Sequence, residues 1–210
     1  MTKYAKSAIA LITVWFFASL SASAAHVFEN GSARLGLSVA IAALTPLVLF
    51  GLWYALSPGF RRFTRSLDPR ALTIVQTWRI GGMVFVVLYA LGLLPGVFAL
   101  PAGFGDFAIG ATAPLMAWNL ATPAHRNGFI RWQVLGMIDL VTAVSLGTTA
   151  GLISPNAPSM HPMTVLPLSM IPTFVVPLLL IFHFISIGQA WRWQVEGRSS
   201  AGRQPLSSAA

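Results

Sequence analysis

Between Arg79 and Arg126 the chain carries a single charged residue, Asp106, and between Arg131 and Arg192 it again carries only one, Asp139. Each run is too long for one membrane crossing of about 20 apolar residues and suits two crossings joined by a short loop. Pro and Gly place those loops at 94–103 (LPGVFALPAG) and 154–163 (SPNAPSMHPM). Dividing the whole chain at its charges gives six apolar stretches, at 8–25, 35–56, 71–94, 104–120, 130–152 and 165–189. The predicted fold class is therefore an all-α integral membrane protein, one bundle of six transmembrane helices over residues 1–196. A small, polar tail at 197–210 (GRSSAGRQPLSSAA) is expected to be disordered. There is no internal sequence repeat.

Composition supports lipid as the main solvent. Charged residues make up 9% of the chain, against roughly 25% in soluble globular proteins. Mean hydropathy is +0.74, with 18 Gly and 14 Pro, residues commoner in membrane helices than in soluble ones. The absence of cysteine excludes disulfides, a thiolate nucleophile and Cys-ligated zinc, haem or iron–sulfur sites.

A net charge of +8 would point to nucleic acid in a soluble protein. Here the positions of the charges explain it differently. Eleven of the 13 Lys and Arg (Lys3, Lys6, Arg61, Arg62, Arg65, Arg70, Arg126, Arg131, Arg192, Arg198 and Arg203) fall on one side of the predicted bundle. The positive-inside rule makes that side cytoplasmic, with both termini. The aromatic belt agrees, because Tyr4, Trp53, Tyr54, Trp118, Trp132, Trp191 and Trp193 fall at the same interface. A bacterial-type inner membrane is the expected location, and nucleic acid is not an expected partner. One rival concerns residues 1–24, whose basic start, apolar run and small residues Ser21 to Ala25 resemble a cleavable signal peptide. Its removal would leave five spans without changing the later topology.

The even-numbered spans contain interior prolines: Pro46, Pro114, and Pro172 with Pro177. Each frees the carbonyl four residues earlier, at Ala42, Gly110, Leu168 and Thr173. These positions are either packing kinks re-satisfied by neighbours or the broken helices of a transport path. In the fifth span, Ala143, Gly147 and Gly151 form a small-residue ridge suited to close helix packing.

Ionisable groups at membrane depth are costly and usually partnered. Arg79 follows Arg70 by nine residues, Asp139 follows Arg131 by eight, and His183 precedes Arg192 by nine. All three therefore lie roughly 12–14 Å below the basic surface. Gln76 lies one turn before Arg79, and Asn119 is expected near the same depth. This predicts an intramembrane polar cluster of Arg79, Asp139, His183, Gln76 and Asn119. It is either an ion pair that fixes helix register or a pocket that binds an anion or relays a proton through His183.

A second polar group is expected at the opposite surface: His26, Glu29, Asp106 and His161. Asp106 could also cap the start of the fourth span. Met160, His161 and Met163 offer soft and borderline donors suited to Cu(I), and they are the only metal candidates. A haem held by two histidines would need two at matching depth, and only His183 is deep; a single-His haem stays open. Motifs for Ser hydrolases, zinc peptidases, phosphate loops and dinucleotide binding are absent. No catalytic residue or cofactor is predicted.

Three function classes remain. The first is a small transporter or channel for an ion or small molecule, using the Arg79–Asp139–His183 cluster. The second is a non-catalytic membrane subunit or assembly factor with a structural ion pair, associated with its own copies or with a partner subunit. The third is a haem- or copper-binding membrane redox protein.

Overall fold

Long apolar stretches with few charges satisfy their backbone polar groups internally as helices, and helix is the only regular structure among the described residues. The computed structural model describes residues 3–29 and 36–201, with side chains as far as Trp193. Its elements are α1 (Lys3–Ala24), α2 (Leu37–Leu56), the short α3 (Pro58–Arg65), α4 (Pro69–Ala90), α5 (Gly96–Asn119), α6 (Arg126–Ile153) and α7 (Val176–Ala201). All except α3 are long and apolar enough to cross a membrane. Their outer faces carry exposed apolar side chains, such as Leu11 and Val14 on α1 and Ile41, Val48 and Leu52 on α2.

The turn between α2 and α4 is built from local chemistry. The Ser57 side chain accepts from the Phe60 backbone N–H at 3.2 Å and caps α3, with Pro58 at its first position. Phe60 stacks on Trp53 with ring centroids 3.8 Å apart. Asp68 caps α4 by accepting from the Arg70 backbone N–H at 2.9 Å.

Two helices depart from α geometry near the centre of the bundle. Between Val75 and Gly82, α4 tightens to a 3-10 helix, where side chains three apart lie above one another. A π-helical turn at Ile171–Val175 precedes α7. The Thr173 carbonyl, which Pro177 deprives of its helical donor, accepts instead from the Trp15 indole at 3.1 Å. That expected orphan is re-satisfied by a neighbouring helix. Ser169 donates to Ser23 at 2.9 Å, so α1 is bound to the α7 region at two levels.

Two expected boundaries shift, and one loop stays close to its expected place. The stretch 94–103, expected as a loop, forms the first turns of α5, which begins at Gly96 and contains Pro101. A proline in the first turns leaves most of the helical ladder intact. Segment 154–163 stays irregular until a 3-10 turn at His161–Thr164. Helix α7 runs through Ala201, beyond the expected start of the tail at Gly197; residues 202–210 lie outside the described residues.

One end of the bundle is fixed by contacts between helix ends. Gln189 donates to the carbonyls of Thr64 at 2.9 Å and Leu67 at 2.8 Å. Arg126 donates to the Ala190 carbonyl at 3.0 Å. The start of α1 joins them, with the Tyr4 ring against Gly59. This basic end carries Lys3, Lys6, Arg61, Arg62, Arg65, Arg70, Arg126, Arg131 and Arg192. The opposite half is filled by an apolar cluster of Phe85, Leu94, Phe98, Ala99, Ala102, Ala150, Met160 and Met163.

Candidate functional site

The buried guanidinium of Arg79 joins four helices. Its side chain is 1% exposed and starts from the 3-10 segment of α4. Helical side chains lean toward the helix N-terminus, so Arg79 reaches back toward the basic end. Nε donates to Asp106 Oδ1 on α5 at 2.7 Å, and Nη2 donates to Asp139 Oδ2 on α6. Nη1 donates to the Gly136 carbonyl at 3.1 Å and lies 3.3 Å from His183 Nε2 on α7.

Arginine only donates, so His183 Nε2 accepts and the ring hydrogen sits on Nδ1. From there the hydrogen bonds continue in one direction. His183 Nδ1 donates to Gln133 Oε1. Gln133 Nε2 donates to Thr73 Oγ1 at 3.2 Å, and Thr73 Oγ1 donates to the Pro69 carbonyl at 2.8 Å. Each of these side chains is 1% exposed or less, and the Trp132 ring lies 6.1 Å from that of His183.

Two glycines make room for this convergence. A Cβ at Gly136 would stand 2.5 Å from His183 Cε1 and 2.7 Å from its Nε2. At Gly105 it would overlap the Asp139 carboxylate. Both are places where α5, α6 and α7 approach closely enough for one guanidinium to reach all three.

Of the residues singled out by depth, Arg79, Asp139 and His183 lie in contact. Gln76 is buried beside them, but it donates to the Leu179 carbonyl at 3.3 Å and its Oε1 has no partner. Asn119 is not in the cluster. It is the exposed last residue of α5, about 20 Å along the helix from Asp106 at 1.5 Å per residue. Asp106 in turn leaves the outer polar group. Because α5 starts at Gly96, Asp106 sits three turns inside the helix rather than at its cap. Gln133, Thr73 and the Gly136 carbonyl were not expected. The signal for them was spacing: Thr73–Gln76–Arg79, Gln133–Gly136–Asp139 and His183–Ser186–Gln189 are series in steps of three, and series of this kind share a helix flank.

At the opposite end the remaining outer residues do assemble. His26, in a left-handed conformation at φ 58°, donates from Nδ1 to Glu29 Oε1. His161 Nε2 lies 3.8 Å from the other oxygen, Oε2. The His26 hydrogen bond, more than any other neighbour, holds the Glu29 carboxyl below its usual range. The two imidazoles sit on different oxygens of one carboxylate and do not converge as a set of metal donors. Met160 and Met163 lie in the apolar cluster, whereas the His161 side chain is 53% exposed. The three candidate copper donors therefore face different surroundings.

A family model for a domain of unknown function, DUF8737, matches residues 35–190. The match includes Arg79, Asp106, Gln133, Asp139 and His183, and it begins after α1. No curated protein and no solved structure matches the chain. The chain belongs to the DUF8737 family.

Proposed function

We propose that this member of the DUF8737 family is a small multi-pass transporter or channel whose working site is the Arg79 cage, and that the cage takes up and releases a proton. One observation carries the reading. Two carboxylates, from α5 and α6, share a single guanidinium. With both ionised the group has a net charge of −1, which one proton or one small cation balances. The Asp106 and Asp139 side chains keep 14% and 17% of their surface exposed while that of Arg79 is closed off at 1%. The two carboxylates are therefore less enclosed than the guanidinium they share.

The exposed apolar outer faces support insertion in a bilayer. The collection of basic residues at one end supports a cytoplasmic placement of both termini, in a bacterial-type inner membrane. The test is proton flux into liposomes containing the purified protein and an internal pH dye, driven by a potassium diffusion potential. The wild-type chain should exceed empty liposomes, and Asp139→Asn and Asp106→Asn should each reduce flux toward the empty value. Wild-type flux equal to that of empty liposomes contradicts the reading, as does undiminished flux in both variants.

The near-complete engagement of the guanidinium favours a second reading, in which the cage is a structural staple of a non-catalytic subunit. That reading predicts loss of thermal stability in Asp139→Asn with no flux in the wild type.

A further inference from the structure

We infer that a hydrated inlet runs inside the bundle from the basic end to the Arg79 cage, along the Gln189–Ser186–His183 flank of α7. This rests on the cage being a proton site, and it names the side from which the site is reached and what fills the approach.

The mouth is a cleft of about 230 Å³ at the basic end, lined by Arg65, Leu67, Pro69, Gln189, Arg192 and Trp193. From Gln189 to His183 is about 9 Å along the helix, and the residue between them is Ser186. Gln189, Ser186 and His183 are 5%, 1% and 0% exposed. Helices facing this flank add further buried polar groups: Thr73 and Gln76 from α4 and Gln133 from α6, each 1% exposed or less. A run of polar side chains inside an apolar bundle is costly unless every group is paired.

Here they are not all paired. Among the described residues, four buried side-chain atoms have no hydrogen-bond partner: Gln76 Oε1, Thr77 Oγ1, Ser186 Oγ and Gln189 Oε1. Two lie on the α7 flank between mouth and cage, and the other two are on α4 beside Arg79. A turned amide does not remove the mismatch at Gln189, because its Nε2 already donates to two carbonyls. Buried polar groups in this condition are met by ordered water. Water at Ser186 and Gln189 would extend from the cleft to the level of His183, whose two ring nitrogens are engaged by Arg79 and Gln133 and so hold the cage at the inner end of the inlet. Beyond the cage toward the opposite end stands the apolar cluster of Phe85, Phe98, Ala99, Met160 and Met163, which offers water no partner. The inlet therefore opens on one side only.

The test uses the natural absence of cysteine. Ser186→Cys and Ala99→Cys are made singly, and a small membrane-impermeant cationic thiol reagent is applied to each face of sealed vesicles. Ser186→Cys should react from the basic face only, at a rate about tenfold or more above Ala99→Cys, which needs local opening to react. Equal rates for the two, or labelling of Ser186→Cys only from the opposite face, overturn the inlet. Should Ser186→Cys not fold, radiolytic hydroxyl labelling of the unmodified chain should oxidise His183 and leave Met160 intact, although both are 0% exposed; equal protection of both overturns it. Neither readout depends on flux, so labelled vesicles without proton flux would remove the transport reading and leave the inlet standing.

Discussion

The two halves of the bundle, divided at Arg79, both contain paired buried polar side chains, but among the described residues the buried side-chain atoms left without a partner all fall on the basic side. In the opposite half Ser169 donates to Ser23 at 2.9 Å, Thr173 donates to the Ser169 carbonyl at 2.7 Å, and Thr164 donates to the His161 carbonyl at 2.8 Å. In the basic half Ser186 Oγ and Gln189 Oε1 have no partner. Polarity alone therefore does not mark a route through a bundle. A polar group that closes on a neighbouring helix is mortar; one left open at equal burial requires a partner from outside the chain. The contrast also accounts for the apolar cluster, which seals one side so that the cage is addressed from the other.

The largest effect expected from breaking this contrast is at the cage. Arg79→Gln leaves the half-buried carboxylates of Asp106 and Asp139 together without their cation and should cost about 3–5 kcal/mol, read as a fall in the denaturant midpoint in detergent. A change below about 1 kcal/mol would mean the carboxylates have another partner. Next, Gly136→Ala drives a methyl group into His183 and should cost about 1–3 kcal/mol while reducing flux. A matching Gly147→Ala on the same helix, away from the cage, should leave flux intact, and equal flux losses would deny the cage its special status.

Smaller effects separate the two halves. Ser169→Ala leaves Ser23 without its partner and should destabilise by about 0.6–1 kcal/mol, the scale of hydrogen bonds between membrane helices. Ser186→Ala removes a hydroxyl that bonds only to water and should change stability by less than about 0.5 kcal/mol. A gain of about 1–3 kcal/mol in Ser186→Ala would show instead a dry, unsatisfied hydroxyl. The smallest effect lies outside the helices. Glu29 is held below its usual range, so its contact with His26 and His161 is intact above the ordinary glutamate range and is lost as pH falls through the lowered value. The carboxyl carbon signal of Glu29 should titrate below an ordinary glutamate, and His26→Ala should raise it; no change on removing His26 contradicts the assignment.

Much of this was legible in the sequence because a few charges in an apolar chain fix depth by counting. Arg79, Asp139 and His183 each sit eight or nine residues from a basic residue at the rim, and the helices carry those distances into space unchanged. The same counting failed for Asp106 and Asn119. It took Leu-Pro-Gly-Val-Phe-Ala-Leu-Pro-Ala-Gly for a loop, as it would be in water. In an apolar bundle Pro101 is tolerated inside α5, so the helix starts eight residues early and carries Asp106 to the cage. Gln133 escaped for another reason. A neutral amide has no depth signal, and only its step of three from Gly136 and Asp139 marked it. The 3-10 tightening of α4, which stacks Gln76 and Arg79, has no proline to announce it.

One preparation joins the inlet to the cage. Liposomes containing Ser186→Cys are assayed for proton flux before and after complete modification by the cationic thiol reagent from the basic face, with the cysteine-free chain treated in parallel. Filling the inlet at Ser186 should bring flux down to that of empty liposomes while the cysteine-free chain keeps its own. Undiminished flux through fully modified Ser186→Cys would contradict it.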